Sequence, residues 1–255
     1  MTDKPRVLFV LHLPPPVHGA SMVGKYIHDS EKVNGTFETR YVNLTTADSL
    51  EDIGKVRWGK SLQFFSLLKR IRREVNEMHP ELVYITPNAS GWAFYKDYIV
   101  VQMLKGLGCK VLVHYHNKGI RTRQDRWVDD RLYRRFFRDV KVMLLAESLY
   151  QDVKKYVDRR NVYLCSNGIP VGKDDVCVKR EHPLNEVPHL LFLSNLIVSK
   201  GVLVLLDALA ILRERGCLFV CDFVGGETGE MNADGFEEET KKRDLQGFAI
   251  YHGRK

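Results

Sequence analysis

Short apolar runs alternate with longer stretches of helical periodicity along the whole chain. Val7–Leu11, Phe37–Leu44, Leu82–Thr86, Lys110–Tyr115, Val140–Leu145 and Val162–Leu164 read as strands. Leu190–Leu193, Leu218–Val224 and Gly247–Tyr251 follow in the last quarter. The run at Leu190–Leu193 suits a strand buried on both faces of a parallel sheet. Between the strands, the spacing predicts helices over Ala20–His28, Lys55–Met78, Gly91–Leu107, Ser148–Val157, from Val202 onward, and over Asp234–Arg243. Met22, Tyr26 and Ile27 mark the expected core side of the first helix. Trp58, Leu62, Phe65, Leu68 and Ile71 mark that of the second.

The alternation breaks once. Ser166-Asn167-Gly168-Ile169-Pro170 ends the first series, and the polar stretch Val171–Val187 has no periodicity, the composition of an interdomain linker. The expectation is an α/β chain of two Rossmann-like domains. Residues 1–170 form a whole domain, 171–187 a linker, and 188–255 the first half of a second domain. Three strands and two helices are too few to cover both faces of a doubly wound sheet. An unpaired edge near Gly247–Tyr251, open to self-association, is therefore expected.

Composition narrows the class. A hydrophobic share of 44% and a charged share of 28% over 255 residues are those of a globular protein with one or two domains. No run approaches the roughly 18 apolar residues of a membrane span, and no secretory signal opens the chain. The 5 cysteines include no Cys-x-x-Cys pair, so neither a disulfide framework nor a structural zinc site is expected, and the cytosol is the expected compartment. A net charge of +7 asks for an anionic partner.

Two strand–loop–helix units carry the chemistry. After Leu190–Leu193, the loop Ser194–Ser199 leads to Lys200-Gly201 and a helix start. First-turn N–H groups, the helix dipole and a lysine together favour a phosphate. After Val7–Leu11, three prolines precede His18-Gly19-Ala20, and Gly19 lets backbone approach a ligand closely. Neither loop has the G-x-G-x-x-G spacing of a dinucleotide site or the G-x-x-x-x-G-K-[ST] of a P-loop. His114-Tyr115-His116-Asn117 closes a strand at the end where open α/β sheets bind ligands, and a histidine there can donate a hydrogen bond or act as a general base. The Lys55–Met78 helix mixes Trp and Phe with many basic residues; it could lie on an anionic bilayer, or pack on the sheet with its basic face solvated. Arg121–Arg138 interleaves arginine with aromatics, which reads better as a charged surface helix with an aromatic core edge than as a nucleic-acid grip.

In order and spacing, these motifs resemble a family-4 retaining glycosyltransferase of the B-type fold over essentially the whole chain. Ser199-Lys200-Gly201 resembles the family's Lys-Gly motif, whose lysine binds the donor diphosphate. Asn195 stands where a phosphate-binding arginine is usual. His18-Gly19-Ala20 resembles the Gly-Gly-Ala loop near donor phosphates and acceptor, with histidine replacing the first glycine. Tyr115-His116-Asn117 resembles the strand-end histidine beside the transferred sugar, and Asn167-Gly168 the turn before the linker. The family's Glu-x7-Glu motif would follow Lys255, which marks the chain as C-terminally truncated against the family pattern.

The resemblance implies transfer of a sugar from a nucleotide-sugar to an acceptor hydroxyl with retention, in cell-surface polysaccharide or glycolipid synthesis. His116 is the implied catalytic residue. Gly19, Asn195, Lys200 and Gly201 are the donor-binding residues, and His18 and Asn117 lie on the acceptor side. No metal and no cofactor are expected, since lysine and helix dipoles offset the leaving charge. The partners implied are a nucleotide-sugar and a saccharide or lipid-linked acceptor, with an anionic membrane surface and no nucleic acid. A catalytically incomplete fragment serving as a binding module is the alternative. A nicotinamide-dependent oxidoreductase shares the pattern, but Asn43 and Leu44 stand where its acidic ribose-binding residue belongs.

Overall fold

The computed structural model describes residues 4–15, 17, 19–45, 58–168 and 187–255. The chain divides into two compact units, Met1–Asp175 and Val176–Lys255. His18 and most of the 171–187 stretch lie outside the described residues, as do Lys55 and Arg57.

The first unit is a six-stranded parallel sheet. Its strands are β1 (Arg6–Leu11), β2 (Glu38–Asn43), β3 (Leu82–Ile85), β4 (Val111–Tyr115), β5 (Val140–Leu144) and β6 (Val162–Leu164). They lie in the order β2-β1-β3-β4-β5-β6, so the direction of winding reverses between β1 and β3. The helices are α1 (Gly19–His28), α2 (Glu31–Thr36), α3 (Trp58–Met78), α4 (Gly91–Gly106), α5 (Trp127–Phe137) and the short α6 (Tyr150–Val153).

Period-two alternation divides the strand residues between two cores. Leu8, Val10, Val83, Ile85, Val111, Val113 and Tyr115 share one core with Ile71, Phe94, Leu104, Tyr133 and Phe136 from α3, α4 and α5. Val7, Phe9, Leu11 and Tyr84 form the other, with Ile27, Val33 and Leu112 packed against it. Within the charged 121–138 segment, α5 is a surface helix with an aromatic edge: Tyr133 and Phe136 are buried, while Trp127 is exposed. Its buried Asp129 is paired, accepting from Tyr95 Oη at 2.7 Å and from Arg123 at 3.2 Å.

Two helices turn differently from the expected pattern. In α1 the buried positions are Ser21 and Gly24, while Met22, Tyr26 and Ile27 are only half-buried. A side chain at Gly24 would meet the His12 carbonyl, so the helix packs by its smallest residues. In α3 the buried stripe is Leu67, Ile71, Val75 and Met78, and Leu62 and Phe65 are 75% and 64% exposed. Two apolar stripes overlap in that helix, and the sheet takes the longer one.

The second unit holds a three-stranded parallel sheet in the order β7-β8-β9. Here β7 is His189–Leu193, β8 Val220–Val224 and β9 Ala249–Tyr251. Helices α7 (Val202–Glu214) and α8 (Ala233–Lys242) supply Leu206, Leu209 and Phe236 to a core with Cys221 and Phe223. Burial of β7 on both faces, expected from its apolar run, does not occur: Leu191 and Leu193 are 63% and 73% exposed. The reason is topological. β7 is an edge, as β9 is, and the core takes Phe192 from one face only.

Candidate functional site

The winding reversal places the carboxyl ends of β1 and β3 side by side, which is where doubly wound sheets form a crevice. The chain leaving β1 is tied across this point. His12 N–H donates to Thr86 Oγ1 at 3.3 Å, and Leu13 N–H donates to Asn43 Oδ1 at 3.1 Å. Asn43 also accepts from Thr45 N–H at 2.9 Å. The end of β2 thus presents a neutral amide occupied with backbone, where a dinucleotide site needs a free carboxylate. Gly19 opens α1 just beyond, with open space where a side chain would be and no acidic residue in the first turn.

At the end of β4, residue alternation sends Tyr115 into the core shared with α3, α4 and α5, and His114 and His116 to the opposite face. Tyr84 on β3 is on that same face, and its Oη lies 2.5 Å from His114 Nδ1. The His114 and His116 rings pack with centroids 4.2 Å apart. His114 Nε2 and both ring nitrogens of His116 are buried without a hydrogen-bond partner. A buried polar group left unmade costs about 1–3 kcal/mol, so such a cluster points to a ligand or a functional constraint. Burial holds His114 down to about 3, with His116 adding to the effect. Burial also lowers His116, and Asn167 partly opposes it without closing a well-formed hydrogen bond. Burial raises the Tyr84 phenol above its ordinary range. Both rings are neutral at physiological pH.

The loops around His116 are fixed by amides and carboxylates. Asn117 Oδ1 accepts from Ala89 N–H at 3.0 Å, and its Nδ2 donates to Asn88 Oδ1 at 3.4 Å. Asn117 is therefore engaged in holding the β3–α4 loop against the β4 end. Asp152 accepts from three successive N–H groups, Gly119 at 2.9 Å, Ile120 at 3.1 Å and Arg121 at 3.0 Å. Ser166 Oγ donates to the Leu145 carbonyl at 3.1 Å, carrying the chain over the sheet end so that Asn167 reaches His116.

In the second unit, β8 and the turn after it run close under the Ser194–Ser199 loop. A side chain at Gly225 would lie 1.9 Å from the Ser194 carbonyl oxygen, so only glycine fits. Asn195 Oδ1 accepts from Gly226 N–H at 2.9 Å, which assigns that oxygen to shaping the loop. Lys200 is exposed and ends a short 3-10 turn; Gly201, at φ 88°, then redirects the chain into α7. The first turn of α7 holds no acidic residue. One carboxylate is near: Glu230 accepts from Val198 N–H at 2.9 Å. Lys200, Gly201 and Asn195 thus share one loop, while Gly19, His116 and Asn117 sit at the strand ends of the other unit.

Sequence reasoning named His114 beside His116 but gave the role to His116 alone, and it missed Tyr84 and Asp152. That His114 belongs with His116 could have been read, because residues two apart on a strand share a face.

No family model and no curated protein matches the chain. Solved structures do. An alpha,alpha-trehalose-phosphate synthase (UDP-forming) from Burkholderia vietnamiensis is similar at TM-score 0.62 and 12% identity, over 99% of this chain and 73% of that one. A structure from E. coli, described as trehalose-6-phosphate bound with UDP-2-fluoro glucose, is similar at TM-score 0.58 and 11% identity, over 99% and 74%. The OtsA apo structure is similar at TM-score 0.58 and 10% identity over the same shares. The chain has the B-type glycosyltransferase fold, with two Rossmann-like parallel sheets.

Proposed function

We propose that this chain binds a nucleotide-sugar and transfers its sugar to an acceptor hydroxyl with retention. The observation that carries the reading is Lys200, exposed at the start of a helix whose first turn is free of acid. The problem in such a transfer is charge on the departing diphosphate. A lysine and free N–H groups at a helix start stabilise that charge without reorganising as it develops. Gly19 opens α1 of the first unit, whose first turn likewise holds no acidic residue. His116, neutral and with unpartnered nitrogens, hydrogen-bonds the sugar or orients the acceptor, and Asn117 holds the loop beside it. This assignment uses no metal.

The acceptor is a saccharide or lipid-linked saccharide presented at the inner face of a membrane. Leu62 and Phe65 protrude from α3 on the stripe that continues into exposed Lys69, Arg72 and Arg73, a surface suited to anionic lipid. No described helix is long and apolar enough to cross a membrane. A second reading is that the chain binds these ligands without turnover.

The test is an assay of this chain with UDP-, GDP- and ADP-sugars and glycan or polyprenyl-linked acceptors, with the product anomer read by NMR. Transfer with retained configuration is expected. Binding without transfer selects the second reading, and inversion removes the retaining assignment.

A further inference from the structure

The reading of His116 as the sugar-contacting residue makes no use of Tyr84 or His114, yet the three are packed as one unit. Tyr84 is 7% exposed and His114 3%. Tyr84 Oη and His114 Nδ1 are 2.5 Å apart, their rings meet edge-on at 5.8 Å, and the His114 ring packs on His116 at 4.2 Å. The groups acting on this unit are Tyr84 from β3, Cys165 beyond β6, which acts on the phenol, and Asn167, which acts on His116.

A buried phenol keeps its proton and can donate it across this contact, which would make Nδ1 of His114 the acceptor. In a neutral imidazole the ring proton then sits on Nε2. That nitrogen has no other hydrogen-bond partner, and the ring that carries it packs on His116. We propose that Tyr84 and His114 are positioning residues: Tyr84 locks the His114 tautomer, and the N–H so fixed keeps His116 free to hydrogen-bond a substrate hydroxyl. This deepens, and rests on, the assignment of His116 to the sugar. The sign follows from electrostatics. An N–H dipole with its positive end toward His116 disfavours a proton there, whereas the other tautomer would offer a lone pair and favour one.

The experiment is long-range ¹H–¹⁵N correlation NMR of the histidine side chains in the full chain, without substrate. In the wild type, His114 is expected to be protonated at Nε2 and bare at Nδ1 from about pH 5 to 8, the range of ordinary histidine titration. Tyr84→Phe, which keeps the ring volume, should give a mixture of tautomers and raise the His116 titration midpoint by about one unit, a typical environmental shift. A wild-type His114 protonated at Nδ1 overturns the proposal, as does a Tyr84→Phe spectrum with tautomer and midpoint unchanged. The wild-type readout does not depend on any variant folding. Nucleotide binding at Lys200 is measured separately, so failure of the transferase reading and failure of this one are distinguishable.

Discussion

Asn88 donates twice to one carboxylate oxygen of Asp97, from its backbone N–H at 2.8 Å and from its side-chain amide at 2.9 Å. This clamp joins the loop after β3 to α4, and Asn117 holds the same loop from the β4 side. Asp97 is 3% exposed, and burial raises its carboxyl to about 6 despite the two hydrogen bonds, which favour the ionised form. A raised carboxyl means that the folded protein holds the proton more tightly than the unfolded chain. Stability is therefore greatest below pH 4 from this group, and falls as pH rises from about 4 to about 6. The effect is on the order of 2–3 kcal/mol. Asp97→Asn keeps an acceptor for Asn88 and should flatten that slope, read as urea midpoints across the window.

Asp152 is the second clamp on the site. Its three accepted N–H bonds order the loop that follows His116. Asp152→Ala should cost about 2–4 kcal/mol, because charge-assisted bonds are lost and N–H groups are left unmet. Asp152→Asn, which keeps acceptors but no charge, should cost less. Equal midpoints for wild type and Asp152→Ala in guanidinium unfolding would remove the clamp from the account.

Gly225 and Gly226 give a paired test of the second unit. An added methyl at Gly225 meets the Ser194 backbone at 1.9 Å, whereas at Gly226 it meets the Asn195 side-chain oxygen at 3.2 Å. Gly225→Ala should cost about 3 kcal/mol or more, at the upper end of overpacking, and Gly226→Ala clearly less. Amide exchange in β7, β8 and β9 reports it locally; the reverse ranking would mean the loop is not held as described.

Much of the fold was legible in the sequence because a strand buried on both faces reads as an apolar run, as at Val7–Leu11, and one buried mainly on one face alternates, as at Val140–Leu144. Periodicity failed where a helix packs by small residues, as α1 does through Ser21 and Gly24, or carries two apolar stripes, as α3 does. It failed at Leu191 and Leu193 because an apolar run does not reveal which edge of the sheet the strand takes. At the site, Lys200 and His116 could be singled out by their place in strand–loop–helix units. Tyr84, Asp97 and Asp152 act through partners 9 to 33 residues away, and no local pattern announces those pairings.

The outward stripe of α3 makes the membrane assignment testable without disturbing the core. Leu62→Ser with Phe65→Ser should change stability by no more than about 0.5 kcal/mol per site, as for surface substitutions. The double variant should float less with liposomes of anionic lipid than the wild type does. Equal recovery of wild type on neutral and anionic liposomes would sink the membrane role.

The central claim is that the Lys200 loop receives a diphosphate. Calorimetric titration of UDP, GDP and ADP into the full chain tests it most directly, with Lys200→Ala as the comparison. At least one nucleoside diphosphate should bind, and Lys200→Ala should weaken it tenfold or more, about 1.4 kcal/mol. Binding of undiminished strength in Lys200→Ala, or no binding of any of the three by the wild type, would contradict the account.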